Sequence, residues 1–153
     1  MTLAAEPMTR KVFVVPPDLP LSAAWDLMCR ERFRHLPVIS AGRLIGILSD
    51  RDILIRATGE GESISVPDIP VGQVATPWPH VCTPNTDVCD LVRMMTEKKI
   101  DAVPVIDDAD QLVGLVTSTD LLLLLIPLEE AKVPLPFVFT LEQHSGSNVA
   151  DAS

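Results

Sequence analysis

An internal duplication constrains this chain more than any other feature. The stretch GILSDRD, Gly46 to Asp52, returns as GLVTSTD, Gly114 to Asp120. Sliding the chain by 67 positions lays Thr9 on Thr76, Val14 on Val81, Pro17 on Pro84 and Met28 on Met95, and it lays Pro37-Val38-Ile39 on Pro104-Val105-Ile106. One residue is then added in the second copy, and a shift of 68 matches Leu44 with Leu112, Gly46 with Gly114 and Asp52 with Asp120. The insertion falls between VISAGRLIG and VIDDADQLVG, among the small polar residues of a hairpin turn. Turns tolerate length changes, whereas a slip inside a strand flips every side chain to the wrong face. Chance does not hold one register from Thr9 to Asp52, so the chain is a tandem repeat.

Each copy carries the same order of elements. A short extended segment, Val12 to Val15 or His80 to Cys82, ends near a proline, which suits a sheet edge. Leu21, Ala24, Trp25, Met28 and Arg32 then recur at helical intervals, as do Val88, Leu91, Val92, Met95 and Lys99. Ser22 is expected to cap the first of these helices, and Thr86 or Asn85 the second. HLPVI and AVPVI follow, then a polar turn, then RLIGILS and QLVGLVT, which together make a hairpin. A helix closes each copy, starting at the hydroxyl residue of SDRDILIRA or TSTDLLLLL. The fold class is therefore α/β in the broad sense (α+β): strand, helix, strand, strand, helix, twice. A copy of about 50 residues hides too little surface alone, so the two are expected to pack together through their sheets.

The expected boundaries are 7–57 for the first motif, 58–72 for a Gly- and Pro-marked linker, 73–126 for the second motif and 127–153 for an extension. Pro134 and Pro136 exclude a regular helix in that extension, FVFTL suits an edge strand, and SGSNVADAS reads as unstructured. The start, Met1 to Glu6, reads as unstructured too. Gly46 and Gly114 either admit another backbone closely or relieve packing in the hairpin, and packing is the favoured reading.

Composition narrows the function. Apolar residues make up 47% of the chain, enough for a core, while aromatics are 4% and Tyr is absent. Stacking platforms for single-stranded nucleic acid are correspondingly scarce. A net charge of −9 opposes general attraction to nucleic acid or anionic membrane. The run Leu121 to Ile126 falls far short of a membrane span. Three cysteines without CxxC spacing, and no signal peptide, point to reduced thiols in the cytoplasm. Cys82 and Cys89 with His80 lack the spacing and fourth partner of a zinc site, so no metal is expected. Met28, Met94 and Met95 read as core filling. No nucleophile–base–orienter group, Walker loop or dinucleotide fingerprint is present, so an enzyme is not expected and no catalytic residue is assigned.

The element order, the LPV and VPV signatures at Leu36–Val38 and Val103–Val105, and the paired G-h-h-[ST]-x-x-D endings together resemble a pair of cystathionine-β-synthase (CBS) domains from about Pro7 to Ile126. The resemblance implies two β-α-β-β-α motifs packed pseudo-symmetrically, with clefts between them that bind AMP, ADP, ATP or S-adenosylmethionine. No other cofactor is required. It implies that Asp52 and Asp120 hold the ribose diol and that Ser49 and Thr117 meet the phosphate. Val14, Val15 and Pro16, with Val81, Cys82 and Thr83, would border the adenine, beside Arg34–His35 and Asp101–Ala102. It also implies a homodimer and an unknown regulated protein.

The plain chemistry of Ser49–Asp52 and Thr117–Asp120 is a capping box, in which the hydroxyl accepts from a helix N–H and the acid reaches back. Under that reading the chain is an unliganded structural or oligomerisation module. The functional reading uses the same groups: a hydroxyl and free N–H groups suit a phosphate, and a carboxylate suits two ribose hydroxyls. Arg34, His35 and Arg51 in the first copy are replaced at the equivalent places of the second by Asp101, Ala102 and Thr119, so the Ser49/Asp52 cleft is expected to take the more highly charged ligand. Lys98 and Lys99 are expected on an exposed helix end. His35 is a candidate for titration near neutrality as a sensor, against the more usual role of an ordinary polar residue beside a strand.

Overall fold

The computed structural model describes residues 1–59 and 63–126; the FVFTL strand and the extension expected at 127–153 lie outside them. Among the described residues ten elements run in chain order: α1 (Leu21–Glu31), β1 (His35–Ser40), β2 (Arg43–Ser49), α2 (Asp50–Leu54), a 3-10 turn (Val71–Gln73), β3 (Thr76–Pro77), α3 (Val88–Lys98), β4 (Ala102–Ile106), β5 (Leu112–Thr117) and α4 (Ser118–Leu123).

The duplication is exact in its pairing. β1 pairs antiparallel with β2, His35 opposite Ser49 and Pro37 opposite Ile47, while β4 pairs with β5, Ala102 opposite Thr117 and Pro104 opposite Leu115. Both ladders shift register at the same place, between Val38 and Ile39 and between Val105 and Ile106. In the first hairpin Ala41 and Gly42 both take positive φ, 48° and 76°, as a tight two-residue turn requires. The longer second turn is held by Asp107, whose carboxylate accepts from the N–H groups of Ala109 and Gln111, each at 2.9 Å. The extra residue is thereby absorbed without disturbing either strand.

The short segments Val12–Val15 and His80–Cys82 contribute one parallel bridge each, Val15 to Val38 and Cys82 to Val105. Of the expected caps, Ser22 does not cap α1. Its N-cap is Pro20, with no side-chain bond, because the Leu21 N–H donates to the carbonyl of Ile69 at 2.8 Å. Asp87 rather than Thr86 or Asn85 caps α3 and accepts from the Cys89 N–H at 2.7 Å. Thr86 instead turns back, its hydroxyl accepting from the Thr83 N–H at 3.0 Å.

Each copy borrows a segment from the other side of the repeat. Thr76 and Pro77 of β3 pair with Ile47 and Gly46 of β2, and Thr9 bridges Leu115 of β5. Thr9 and Thr76, like Ile47 and Leu115, are equivalent under the repeat, so the exchange is reciprocal. Leu3 bridges Asp87 just as Pro70 bridges Pro20, and the Val88 N–H donates to the Thr2 carbonyl at 2.9 Å. Met1 to Glu6 is therefore ordered where disorder was expected, with Ala4 fully buried. The 3-10 turn and Val74, with Val66 and Ile69, likewise make the second half of the supposed linker part of a core.

Two cores result. One gathers Leu21, Ala24, Met28, Leu36, Val38, Leu48 and Ile53 under Val71 and Val74. The other gathers Leu91, Met95, Val103, Val105 and Val116 under Ala4 and Met8. The glycines of the repeated motif sit where the borrowed strands cross. A Cβ on Gly46 would meet the Thr76 carbonyl oxygen at 3.0 Å, and one on Gly114 would meet that of Thr9 at 3.0 Å. Close backbone approach, not relief of packing in the hairpin, accounts for both.

Candidate functional site

Two clefts lie between the copies. The larger, about 470 Å³, is walled by Ser49, Arg51 and Asp52 on one side and by the loop Thr76–His80 and residues 99–102 on the other. The smaller, about 200 Å³, is walled by Thr117–Asp120, Thr9 and residues 32–35. Arg34, His35 and Asp101 line both. The contrast drawn between Arg34 in one copy and Asp101 in the other is thus shared between clefts rather than divided among them. What still distinguishes the larger cleft is Arg51 and Lys99. Lys99 lies at the exposed end of α3, as expected, and also on the cleft wall.

The capping boxes are complete in both copies. Ser49 Oγ accepts from the Asp52 N–H at 3.1 Å, and Asp52 Oδ2 accepts from the Ser49 N–H at 2.8 Å. Thr117 Oγ1 accepts from the Asp120 N–H at 3.3 Å, and Asp120 Oδ2 accepts from the Thr117 N–H at 2.8 Å. The first helical N–H of each short helix is also engaged: Asp50 N–H donates to the Arg34 carbonyl at 2.9 Å and Ser118 N–H to the Asp101 carbonyl at 3.0 Å. α2 and α4 have only five and six residues, and a helix that short with filled caps offers little attraction to an anion by itself. Binding of a phosphate would have to rest on the side-chain cations.

The two acids differ in how fully they are occupied. Asp120 also accepts from the hydroxyls of Thr117, at 2.9 Å, and Thr9, at 3.3 Å, so both of its oxygens are engaged. Asp52 Oδ1 has no donor among the described residues, and the equivalent Thr76 hydroxyl makes no bond to it. Asp52, on the wall of the larger cleft, therefore keeps a carboxylate oxygen that can accept from a ligand. The cations nearby are only loosely committed: Arg34 pairs with Asp50 at 3.2 Å while its side chain stays 65% exposed.

Seven residues singled out from sequence, Arg34, His35, Ser49, Arg51, Asp52, Asp101 and Ala102, meet in the larger cleft; Arg34, His35, Asp101, Thr117 and Asp120 meet in the smaller. Val14, Val15, Pro16, Val81, Cys82 and Thr83 line neither. The backbones of Val15 and Cys82 are spent on their sheets, the Val15 N–H donating to the Pro37 carbonyl at 3.1 Å and the Cys82 N–H to that of Pro104 at 3.0 Å. Burial also pushes the Cys82 thiol up to about 11, which keeps it protonated and unreactive. Thr9, Thr76, Trp78 and His80 were missed. Thr9 and Thr76 carried a signal, since they match under the repeat. No group of three His, Cys, Asp or Glu among the described residues is placed to hold a metal ion, and no helix among them is long and apolar enough to cross a membrane.

His35 stands where the clefts meet. Burial holds its imidazole below the ordinary 6.5, against the pull of Asp50, with Arg34 acting in the same direction as burial and Asp101 and Asp52 against it. The folded state therefore disfavours the proton that the unfolded chain takes up. The associated stability is present above about pH 6.5 and is lost as pH falls through the lower folded value. Urea midpoints measured at pH 7.5 and 5.5 should fall in the acid, and His35→Gln should shrink that fall. An unchanged pH slope in the variant would remove His35 from this role.

The geometry has a clear set of relatives. The CBS domain profile matches residues 4–58 and 71–127. The CBS domain-containing protein YhcV of Bacillus subtilis is 31% identical over 121 residues, which cover 79% of this chain and 84% of YhcV. The inosine-5'-monophosphate dehydrogenase of Thermoplasma acidophilum is 29% identical over 113 residues, 74% of this chain but only 21% of the dehydrogenase. This chain thus spans about a fifth of that enzyme. Among solved structures, CBSX2 in complex with AMP is similar at a TM-score of 0.72 and 25% identity, covering 84% of this chain and 99% of the chain in that structure. Duplicated sequence, reciprocal sheets and profile agree: the chain belongs to the CBS domain family and carries two CBS motifs.

Proposed function

We propose that the chain is a regulatory module that binds an adenosine compound (AMP, ADP, ATP or S-adenosylmethionine) between its two motifs and passes the change to a partner protein. The observation that carries this reading is the uncommitted Oδ1 of Asp52, a residue on the wall of a 470 Å³ cleft that Arg34, Arg51 and Lys99 also line. A carboxylate accepts from both hydroxyls of a ribose, and the three cations suit a phosphate. The larger cleft then takes the more highly charged ligand. AMP in the similar CBSX2 supports the ligand class. In this reading the module works in the cytoplasm without catalysing a reaction. It forms a homodimer through the exposed apolar ends of α2 and α4, where Leu54, Ile55, Leu122 and Leu123 stand 44%, 71%, 62% and 55% exposed. By linkage, whatever partner reads the ligand also changes ligand affinity.

The complete capping boxes favour a second reading, in which Asp52 and Asp120 only hold helix starts and the module is structural. Thermal shift and calorimetry with the four compounds separate the two. A ligand at 100 times its dissociation constant should stabilise the nucleotide-free protein by about 2.7 kcal/mol. Absence of heat and shift with all four would leave the structural reading standing.

A further inference from the structure

Trp78 is out of keeping with its surroundings. It is the only indole or phenyl ring among the described residues that lines the larger cleft, yet it is 90% exposed, so none of those residues covers it. The other described aromatic rings are engaged: Phe13 and Phe33 meet edge to face with centroids 5.1 Å apart, and Trp25 packs on the first core. Trp78 is also held in an unfavourable backbone conformation, φ 52°. Of the other four non-glycine residues at positive φ, Arg32 and Lys99 end helices, while Ala41 and Asp110 sit in hairpin turns, where that conformation is usual. Trp78 has neither excuse. It is a bulky residue between Pro77 and Pro79, and a residue before proline is already restricted. Its N–H donates to the Ile45 carbonyl at 3.4 Å, tying this loop to β2.

The repeat shows that the fold does not demand this. The equivalent of Trp78 is Lys11, which has negative φ, lines neither cleft and lies with its Nζ 5.8 Å from the Phe13 ring centroid. Strain kept at one copy's cleft and absent from the other is the pattern of a functional position.

We propose that Trp78 is the base-stacking residue of the larger cleft, its indole face packing against the purine of a ligand whose ribose is held at Asp52. This rests on the adenosine reading above and adds to it the residue that selects an aromatic base. An indole suits this task because every base offers a π face, and an exposed ring on a proline-flanked loop loses little freedom on binding. It also makes the clefts unequal in kind: the larger offers an uncovered indole, whereas the phenyl ring that lines the smaller, Phe33, is already engaged by Phe13.

Titration with AMP, followed by calorimetry and by tryptophan emission, tests the assignment in wild type, Trp78→Gly and Trp78→Phe. Glycine accepts the positive φ, so that variant removes the ring without adding backbone strain. Wild-type emission should change on AMP addition and saturate with the calorimetric Kd. Trp78→Gly should raise that Kd roughly 5- to 150-fold, the span of base–aromatic stacking, and abolish the emission change. Trp78→Phe should restore most of the affinity, which a merely structural role for the loop would not require. AMP binding of wild-type strength in Trp78→Gly overturns the stacking role and leaves the adenosine reading intact. Wild type that binds none of AMP, ADP, ATP or S-adenosylmethionine overturns both.

Discussion

Deleting residues 1–8 should lower the urea midpoint of the protein sharply and uncouple its two copies. Ala4 and Met8 lie in the second core with Leu91, Met95 and Val103, and Ala4 is fully buried. Removing a buried methionine side chain alone costs about 2–5 kcal/mol through lost transfer energy and the cavity left behind. The deletion also takes away the Thr2 carbonyl that receives the Val88 N–H, and the N–H groups of Ala4 and Ala5 that donate to Thr86 and Pro84 at 2.8 and 3.0 Å. Set against a total of about 5–15 kcal/mol for a domain, a loss on the order of 3–5 kcal/mol is a large share. The first copy keeps its own core, completed by Val71 and Val74. Trp25 packs on that core, so in a Trp78→Phe background, where it is the one tryptophan left, its fluorescence reports the first copy. Circular dichroism should therefore report unfolding at lower urea than Trp25 emission does in the truncated protein, and the two should coincide in the full chain. Equal midpoints for the two proteins would show that the first eight residues are not part of the second core.

That segment also marks the limit of what could be read from sequence. The hairpins, their register shifts and the capping boxes are local, and the repeat fixes them twice over: Ser49 with Asp52 and Thr117 with Asp120 were expected and are found. The borrowed strands are not local. Thr9 and Thr76 match under the repeat, but a two-residue strand has no periodicity from which to learn which sheet it joins. The misplaced caps have the same cause. α1 needs no capping hydroxyl because the Ile69 carbonyl arrives from the exchanged segment, a contact that helix-start statistics do not see. The clefts follow suit. Residues 34–35, 49–52, 101–102 and 117–120 were found through their motifs, whereas Trp78 and His80 reach the larger cleft only through the exchange of β3. Val14–Pro16 and Val81–Thr83 lie outside both cleft walls, and the N–H groups of Val15 and Cys82 are paired in the sheets.

The two repeated aspartates should respond to the same substitution in opposite ways. Asp52→Asn leaves an oxygen to accept from the Ser49 N–H, the contact that the carboxylate makes at 2.8 Å, so the cap survives at a cost of at most about 1 kcal/mol. What it removes is the charged acceptor at Oδ1. A hydrogen bond to a charged group contributes about 1.5–3 kcal/mol, so adenosine-nucleotide affinity of the larger cleft should fall by roughly 10- to 150-fold. Asp120→Asn is the reverse case. Three donors converge on Asp120, the Thr117 N–H and the hydroxyls of Thr117 and Thr9. An amide has one accepting oxygen and sets its own N–H groups against the rest. The loss should be about 1–3 kcal/mol of stability. Nucleotide affinity should change little, because the protein already occupies that carboxylate. Urea denaturation and calorimetry on the two variants measure both quantities side by side. If Asp52→Asn binds nucleotide as tightly as wild type, or if Asp120→Asn is the less destabilised of the pair, then the open oxygen of Asp52 does not distinguish the clefts. If the crossed pattern is found, the same four-residue motif serves as a structural clasp in one copy and as a ligand acceptor in the other, and the deciding contact is the hydroxyl of Thr9.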